Sequence, residues 1–176
     1  MLFSTAVMEP LYCTEVDSPV GKLVIAVSER GLVKLEFPQR TEAERSVDPP
    51  TAEQAKLVSE CERQISEYFA GKRRQFTIPL DLRGTPFQLA CWNALLAIPY
   101  GETRSYAEVA RLVKRPRGFR AVGLANNRNP VAIIVPCHRV IASDGTLCGY
   151  GGGLDLKRKL LELEGARAVA QTALIA

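Results

Sequence analysis

Cys137 and His138 are adjacent, and His138 is the only histidine of the chain. A thiolate is a strong nucleophile, and an imidazole that takes the thiol proton raises the fraction of thiolate at neutral pH. Because neighbouring side chains of an extended chain point to opposite sides, His138 needs a turn or a bridging water to reach the thiol. Glu164 is a candidate carboxylate to orient the imidazole. On its own a Cys-His pair is weak evidence, since most such pairs serve packing or turns.

The segments around Cys137 suggest how it is positioned. Residues 131–135 are all apolar, which predicts a short strand buried on both faces. A proline-bounded turn over residues 136–140 follows, then a glycine-rich loop over residues 148–153. The last helix is predicted to begin at an Asp155 cap and to end at Gly165. A buried strand would thus deliver Cys137 to a loop on a rigid scaffold.

The first half of the chain predicts a small antiparallel sheet crossed by one helix. Turn signals separate three strand patterns, at residues 11–16, 22–27 and 32–37. Apolar residues at helical spacing then predict a helix over residues 51–70. A further strand is predicted over residues 76–82.

The second half predicts several short helices. Thr85 can cap a helix that runs to about Ala97, and Ser105 can cap the next, with Glu108 completing a capping box. A tight turn leads to a third helix over residues 119–127, and the last two together are typical of a helix-turn-helix. The fold class is therefore α+β, divided into residues 1–83 and 84–176.

Composition and charge narrow the class of protein. The 176 residues are 47% apolar and 24% charged, which fits a chain that buries a core. No apolar run is long enough to cross a membrane, the N-terminus lacks a secretory pattern, and the five cysteines fit no disulfide framework. We therefore expect an intracellular protein. One histidine and no C-x-x-C pair argue against a zinc site.

Positive charge is concentrated in one segment. Residues 101–139 carry eight basic and two acidic side chains, a net charge of +6, whereas the whole chain carries +4. Such a distribution is expected of a face that meets phosphates, although a solvated basic helix is an equally simple interpretation.

The motif around Cys137 closely resembles that of the O6-alkylguanine-DNA alkyltransferases. The resemblance rests on Pro136-Cys-His-Arg-Val140, on Asn129-Pro130 before it, and on the glycine-rich residues 149–153 after it. It extends through residues 98–106 and 120–123 to Glu164-Gly165, and so covers residues 85–165. The pattern of the first half agrees with the ribonuclease-H-like N-terminal subdomain of that family, and the second half with its mostly helical DNA-binding domain.

This resemblance implies direct-reversal DNA repair. Cys137 would take the alkyl group from O6-alkylguanine, or from O4-alkylthymine, and keep it as a thioether, so the protein would act once. His138 would accept the thiol proton through a water, Glu164 would hold the imidazole, and Asn129 would brace the turn. No cofactor and no metal are implied.

The resemblance also implies how the base is held. Tyr106 would donate its hydroxyl to the departing guanine. The carbonyls of Cys137 and Val140 would receive the exocyclic amine, and backbone amides around Tyr150 and Gly151 would hold the O6 oxygen.

Double-stranded DNA is the implied partner, with the damaged base rotated out of the helix. Arg120 would fill the vacated place in the stack. Small side chains would let its helix lie close in the minor groove, and arginines would contact phosphates. The DNA-binding residues are thus Arg120, Ala121, Gly123, Ala125, Arg128 and Arg139. The implied protein is a monomer that can cluster on DNA, cytoplasmic and nucleoid-associated in a bacterium or nuclear in a eukaryote.

Two alternatives stay open at this stage. One is a sensor that binds alkylated bases without repairing them, although relatives of that kind lack the cysteine that this chain has. The other is a Cys-His hydrolase or a helix-turn-helix regulator. Lys157, near the start of the last helix, fits a surface position as well as a functional one.

Overall fold

A three-stranded antiparallel sheet begins the fold. The computed structural model describes residues 10–37, 46 and 48–166. Strands β1 (Tyr12–Val16), β2 (Leu23–Val27) and β3 (Leu32–Glu36) pair in chain order, so the predicted meander is confirmed. Every residue of β2 is buried, as expected of the central strand.

Helix α1 (Ala52–Phe69) follows and packs against β2. It begins at a capping box, in which Thr51 and Gln54 each bond the other's backbone N–H. Its buried face carries Leu57, Cys61, Ile65 and Tyr68, at the helical spacing that predicted it. The predicted helix is confirmed.

The second half is mostly helical. Its elements are α2 (Pro86–Leu96), β4 (Arg104–Ser105), α3 (Tyr106–Leu112), α4 (Phe119–Asn127), β5 (Val140–Ile141) and α5 (Leu154–Leu163). Thr85 and Ser105 cap α2 and α3 through the side-chain bonds that their sequences predict. The two-residue strands β4 and β5 pair in parallel and were not predicted. Among the described residues, no helix is both long and apolar enough to cross a bilayer.

The strand predicted over residues 76–82 is wrong. Only Leu80 forms a bridge there, in parallel with Leu32. Pro79 lies in the middle of this segment, and a proline cannot donate to a strand ladder. Its carbonyl still accepts the N–H of Leu32 at 2.8 Å, and the N–H of Asp81 donates to the Leu32 carbonyl at 2.9 Å. The segment therefore lies against β3 without continuing the sheet.

The strand predicted over residues 131–135 is also wrong, although all five residues are buried. Val131 bridges to Leu35 of β3, and the chain then turns, with the Val135 N–H donating to the Val131 carbonyl at 3.0 Å. Ile133 has a φ of 70°, a region that β-branched residues rarely adopt. A run of apolar residues predicts that a segment is buried, but it does not determine whether the backbone is extended or turned. Here the chain turns back toward Asn129.

Helix α5 begins two residues earlier than predicted. Gly153, with a φ of 88°, occupies the cap position, and Asp155 lies within the first turn and caps nothing. A glycine adopts this conformation at little cost, so the chain enters the helix without a side-chain cap. The predicted end is confirmed, because Gly165 has a φ of 69° and follows the last turn.

Candidate active site

A cavity of about 380 Å³ opens beside Cys137, a size typical of small-molecule sites. Its walls come from both halves of the chain, because β3 and the residue after it meet α3, α4 and the glycine-rich loop there. The lining residues that later arguments use are Phe37, Tyr106, Gly123, Asn126, Asn129, Cys137, Cys148, Tyr150 and Gly151.

Cys137 begins a single 3₁₀ turn that ends at Arg139. Asn129 braces this turn, since its Nδ2 donates to the Val135 carbonyl at 2.8 Å and to Sγ of Cys137 at 3.2 Å. Its Oδ1 accepts the N–H of Val131 at 3.0 Å. A donor aimed at the sulfur stabilises negative charge there, so this contact favours the nucleophilic form.

His138 is fully buried behind the cysteine, with Nε2 2.9 Å from Oε1 of Glu164. Within the part of the chain that the structure describes, its Nδ1 has no hydrogen-bonding partner. The carboxylate can only accept, so Nε2 carries the proton and Nδ1 keeps its lone pair. Burial lowers the pKa of His138, more than the bond and charge of Glu164 raise it. A neutral imidazole with an available lone pair can accept a proton.

Glu164 holds this arrangement together from a position that is itself buried. Besides His138, its carboxylate accepts from the Tyr68 hydroxyl at 2.7 Å, from Nε and Nη2 of Arg139 at 2.8 and 2.9 Å, and from the Gly101 N–H at 3.3 Å. Burial raises the pKa of Glu164, but the hydrogen bonds from His138 and Arg139, together with the charge of Arg139, lower it to about 2. It is therefore ionised at neutral pH.

The prediction that Arg139 contacts DNA is wrong. Its side chain is only 6% exposed, and besides Glu164 it bonds to the Ile98 carbonyl through Nη1 at 2.6 Å. A buried carboxylate requires a compensating charge, and Arg139 supplies it. The guanidinium is thus committed to the interior.

Lys157 was not among the predicted site residues, because a surface position fitted its sequence context equally well. It is fully buried, and its Nζ donates to the carbonyls of Val140 at 2.6 Å and Cys148 at 2.9 Å. Burial lowers its pKa, while the charges of Cys148 and Cys137 raise it. The spacing of Lys157 from Leu160, Leu161 and Glu164 would have placed it on the buried face of α5.

Tyr106 stands at the first turn of α3, on the wall of the cavity. Its hydroxyl donates to the Cys148 carbonyl at 3.3 Å. Burial raises the pKa of Tyr106, as do the charges of Cys148 and Cys137, so the hydroxyl stays protonated at neutral pH. Tyr150 and Gly151 also line the cavity, whereas Val140 is fully buried and lies outside its lining.

Only some of the DNA-binding residues predicted on helix α4 and at its end are exposed to solvent. Arg120, Ala121 and Arg128 are exposed, and Gly123 lies beside Tyr106, where an added Cβ would make an ordinary 3.8 Å contact with the ring. The prediction for Ala125 is wrong. It is only 3% exposed, because its helix face packs on the core, where its carbonyl accepts the indole N–H of Trp92 at 2.9 Å.

Comparisons with known proteins agree with this architecture. The family model "6-O-methylguanine DNA methyltransferase, ribonuclease-like domain" matches residues 11–82, and the model "6-O-methylguanine DNA methyltransferase, DNA binding domain" matches residues 86–166. The methylated-DNA–protein-cysteine methyltransferase of Methanosarcina barkeri is 48% identical over 156 residues, which cover 88% of this chain and 97% of that protein. The Mycobacterium leprae protein of the same name is 51% identical over 156 residues, covering 88% and 92%.

Solved structures give the same result. The crystal structure of Mycobacterium tuberculosis O6-methylguanine methyltransferase superposes with a TM-score of 0.78 at 47% identity, covering 89% of this chain and 93% of that one. A structure of the Mycobacterium tuberculosis protein in complex with DNA gives a TM-score of 0.79 at 46% identity, covering 90% and 97%. The chain belongs to the family of methylated-DNA–protein-cysteine methyltransferases, with their ribonuclease-like first half and their helical DNA-binding second half.

Proposed function

We propose that this protein repairs DNA by moving the alkyl group of O6-alkylguanine to Sγ of Cys137, once and irreversibly. The sulfur attacks the alkyl carbon, so that an S–C bond forms as the C–O6 bond breaks. Guanine leaves with the electron pair and takes up a proton. The thioether that results has no sulfur leaving group, so no exchange reaction restores the thiol.

One observation carries this proposal: the Cys137 sulfur lies at the wall of a cavity and accepts a bond from Asn129 at 3.2 Å. A structural cysteine is usually surrounded by apolar side chains. This one instead meets a hydrogen-bond donor and a space of the size that ligand sites have.

The thiol proton passes to His138 through a water. Nδ1 is the acceptor, because Nε2 donates to Glu164. The ionised carboxylate of Glu164 stabilises the imidazolium that forms, and Arg139 balances that carboxylate. Glu164 and Arg139 therefore act as positioning residues.

The cavity supports departure of the guanine. Tyr106 keeps its hydroxyl proton at neutral pH and can donate it to the departing base. Lys157 fixes the carbonyls of Val140 and Cys148, and thereby the glycine-rich loop whose amides at Tyr150 and Gly151 would hold O6. O4-alkylthymine offers the same chemistry, because its alkyl carbon is also bound to an exocyclic oxygen beside a ring nitrogen.

Duplex DNA is the proposed partner. Cys137 is only 8% exposed at the wall of the cavity, so a base within the stack cannot reach its sulfur and the damaged nucleotide must rotate out of the helix. Arg120 is exposed on α4 and fills the vacated place, and Arg128 contacts a phosphate. The net charge of +6 over residues 101–139 and the DNA complex of the Mycobacterium tuberculosis relative support this assignment.

Intact mass measurement tests the proposal. After incubation with duplex DNA that contains O6-methylguanine, we expect a mass increase of one methylene equivalent, mapped to the Cys137 peptide. The Cys137→Ser variant should bind the same duplex and stay unmodified. An unmodified wild-type protein that still binds the lesion would identify a sensor and overturn the proposal.

A further inference from the structure

Asn126 stands on α4 at the wall of the Cys137 cavity. The residue is only 7% exposed. Among the described residues, neither its Nδ2 nor its Oδ1 has a hydrogen-bonding partner, and both atoms are buried. Neither the motif nor the proposed mechanism gives this side chain a role.

A buried carboxamide without partners is costly, because it loses its bonds to water and gains none from the protein. An apolar side chain of similar size would pack there without this cost. Asn126 lines the cavity, although neither polar atom is open to water there, so a rotation of the side chain toward an entering base would give both atoms the partners that they lack. That base must offer a donor and an acceptor side by side, since a carboxamide presents one of each.

O6-alkylguanine offers this pattern. Its exocyclic amine donates, and both ring nitrogens next to that amine accept. O4-alkylthymine offers only acceptors on the corresponding edge, because it has no exocyclic amine and its alkylated ring carries no N–H. An Oδ1 atom facing O4-alkylthymine would therefore meet another acceptor.

Resting on the proposed function, we propose that Asn126 reads the flipped base and makes the protein selective for O6-alkylguanine over O4-alkylthymine. Oδ1 accepts from the exocyclic amine, and Nδ2 donates to the adjacent ring nitrogen. This contact adds to the carbonyls already expected to receive the amine, of which the Val140 carbonyl is already bonded to Lys157.

The test compares two bases that differ only in the amine. Single-turnover rates of methyl transfer are measured on duplexes containing O6-methylguanine or O6-methylhypoxanthine, which lacks the exocyclic amine. The proteins are the wild type, Asn126→Leu, which removes both polar atoms, and Asn126→Asp, which keeps the shape but removes the donor. Asn93→Leu, the same change at an exposed position of α2 that does not line the cavity, is the matched control.

We expect the wild type to methylate itself about tenfold faster from the guanine than from the hypoxanthine duplex. In Asn126→Leu this ratio should fall severalfold, and its rate on O4-methylthymine should rise relative to its rate on O6-methylguanine. Asn93→Leu should keep the wild-type ratio. Asn126→Asp should lose rate on both purines, because a carboxylate faces a ring-nitrogen acceptor. It should keep the guanine-to-hypoxanthine ratio, because a carboxylate oxygen still accepts from the amine, so it tests the contact even if the Leu variant fails to fold.

An unchanged guanine-to-hypoxanthine ratio in Asn126→Leu would overturn the assignment, as would a wild type that does not distinguish the two purines. In either case the wild type still takes up a methyl group. A wild type that takes up none contradicts the proposed function instead, so the two failures are distinguishable.

Discussion

The hydroxyl of Tyr68 donates a 2.7 Å hydrogen bond to Oε1 of Glu164, across 96 positions of sequence. Tyr68 lies on α1 in the ribonuclease-like half, and Glu164 follows α5 in the other half. The same oxygen is 2.9 Å from Nε2 of His138. The first half of the chain therefore helps to set the position of the imidazole behind Cys137.

Tyr68→Phe removes this bond and leaves the buried ring in place. A hydrogen bond to a charged group contributes about 1.5–3 kcal/mol, so we expect the free energy of unfolding to decrease by an amount in that range. The methyl-transfer rate should fall severalfold, because the carboxylate that orients His138 gains freedom. Urea unfolding and single-turnover kinetics measure the two effects, with Tyr12→Phe on β1 as control. Wild-type values for both quantities would show that the two halves are not coupled through Glu164.

The pH dependence of stability reports on His138. Burial lowers its pKa below the ordinary value of 6.5, so below that pH the unfolded chain binds a proton that the folded chain does not. The stabilisation is fully present above pH 6.5 and is lost as the pH falls. Between about pH 7.5 and 6.0 the free energy of unfolding should drop, by at most about 0.8 kcal/mol, which is the limit for a single imidazole that stays unprotonated in the folded chain.

The chain has no other histidine, so the His138→Gln variant provides a clean control. Its free energy of unfolding should be nearly flat over the same pH interval. Stability of the wild type that rises on acidification would mean that the buried imidazole is protonated in the folded protein.

Lys157→Met keeps a long side chain but removes the donor to the carbonyls of Val140 and Cys148. We expect the methyl-transfer rate to fall by at least about tenfold, since the glycine-rich loop loses its fixed position. Affinity for duplex DNA should stay within about twofold, because a buried cation contributes no phosphate contact. Lys159→Met, at an exposed position of the same helix, should change neither quantity. A variant that binds DNA poorly but reacts at the normal rate would place Lys157 in DNA binding.

Arg120→Ala tests the base-rotation step. The side chain is exposed on α4, with its guanidinium carbon 5.9 Å from the centroid of the neighbouring Phe119 ring. Repair of O6-methylguanine in a duplex should slow far more than reaction with the free base, because only the duplex leaves a gap in the stack. Arg117→Ala, another exposed arginine of the basic segment, should show the small loss of one phosphate contact. Equal losses on duplex and free base would remove Arg120 from this role.

Local signals predicted the helices well, because caps depend on a few neighbouring residues. Thr85 and Ser105 cap their helices as expected. The course of residues 131–135 could not be read from the sequence, since it depends on Asn129, which closes the turn from outside that segment.

The positions of charged side chains, at the surface or in the interior, were harder to predict from the sequence than the helices. Arg139 lies within the basic segment, yet its partner Glu164 is 25 residues away in sequence. Lys157 also binds carbonyls that only the folded chain brings near. Residue type alone does not distinguish a buried cation from a surface one, but helical spacing from Glu164 does so for Lys157.

The stoichiometry of repair tests the central claim most directly. A fixed amount of protein is titrated with an excess of duplex containing O6-methylguanine, and the repaired guanine is counted at the plateau. The account predicts one guanine repaired per protein molecule, no further repair after fresh duplex is added, and none by Cys137→Ser. Repair that continues beyond one equivalent, or that survives the loss of the Cys137 sulfur, would contradict it.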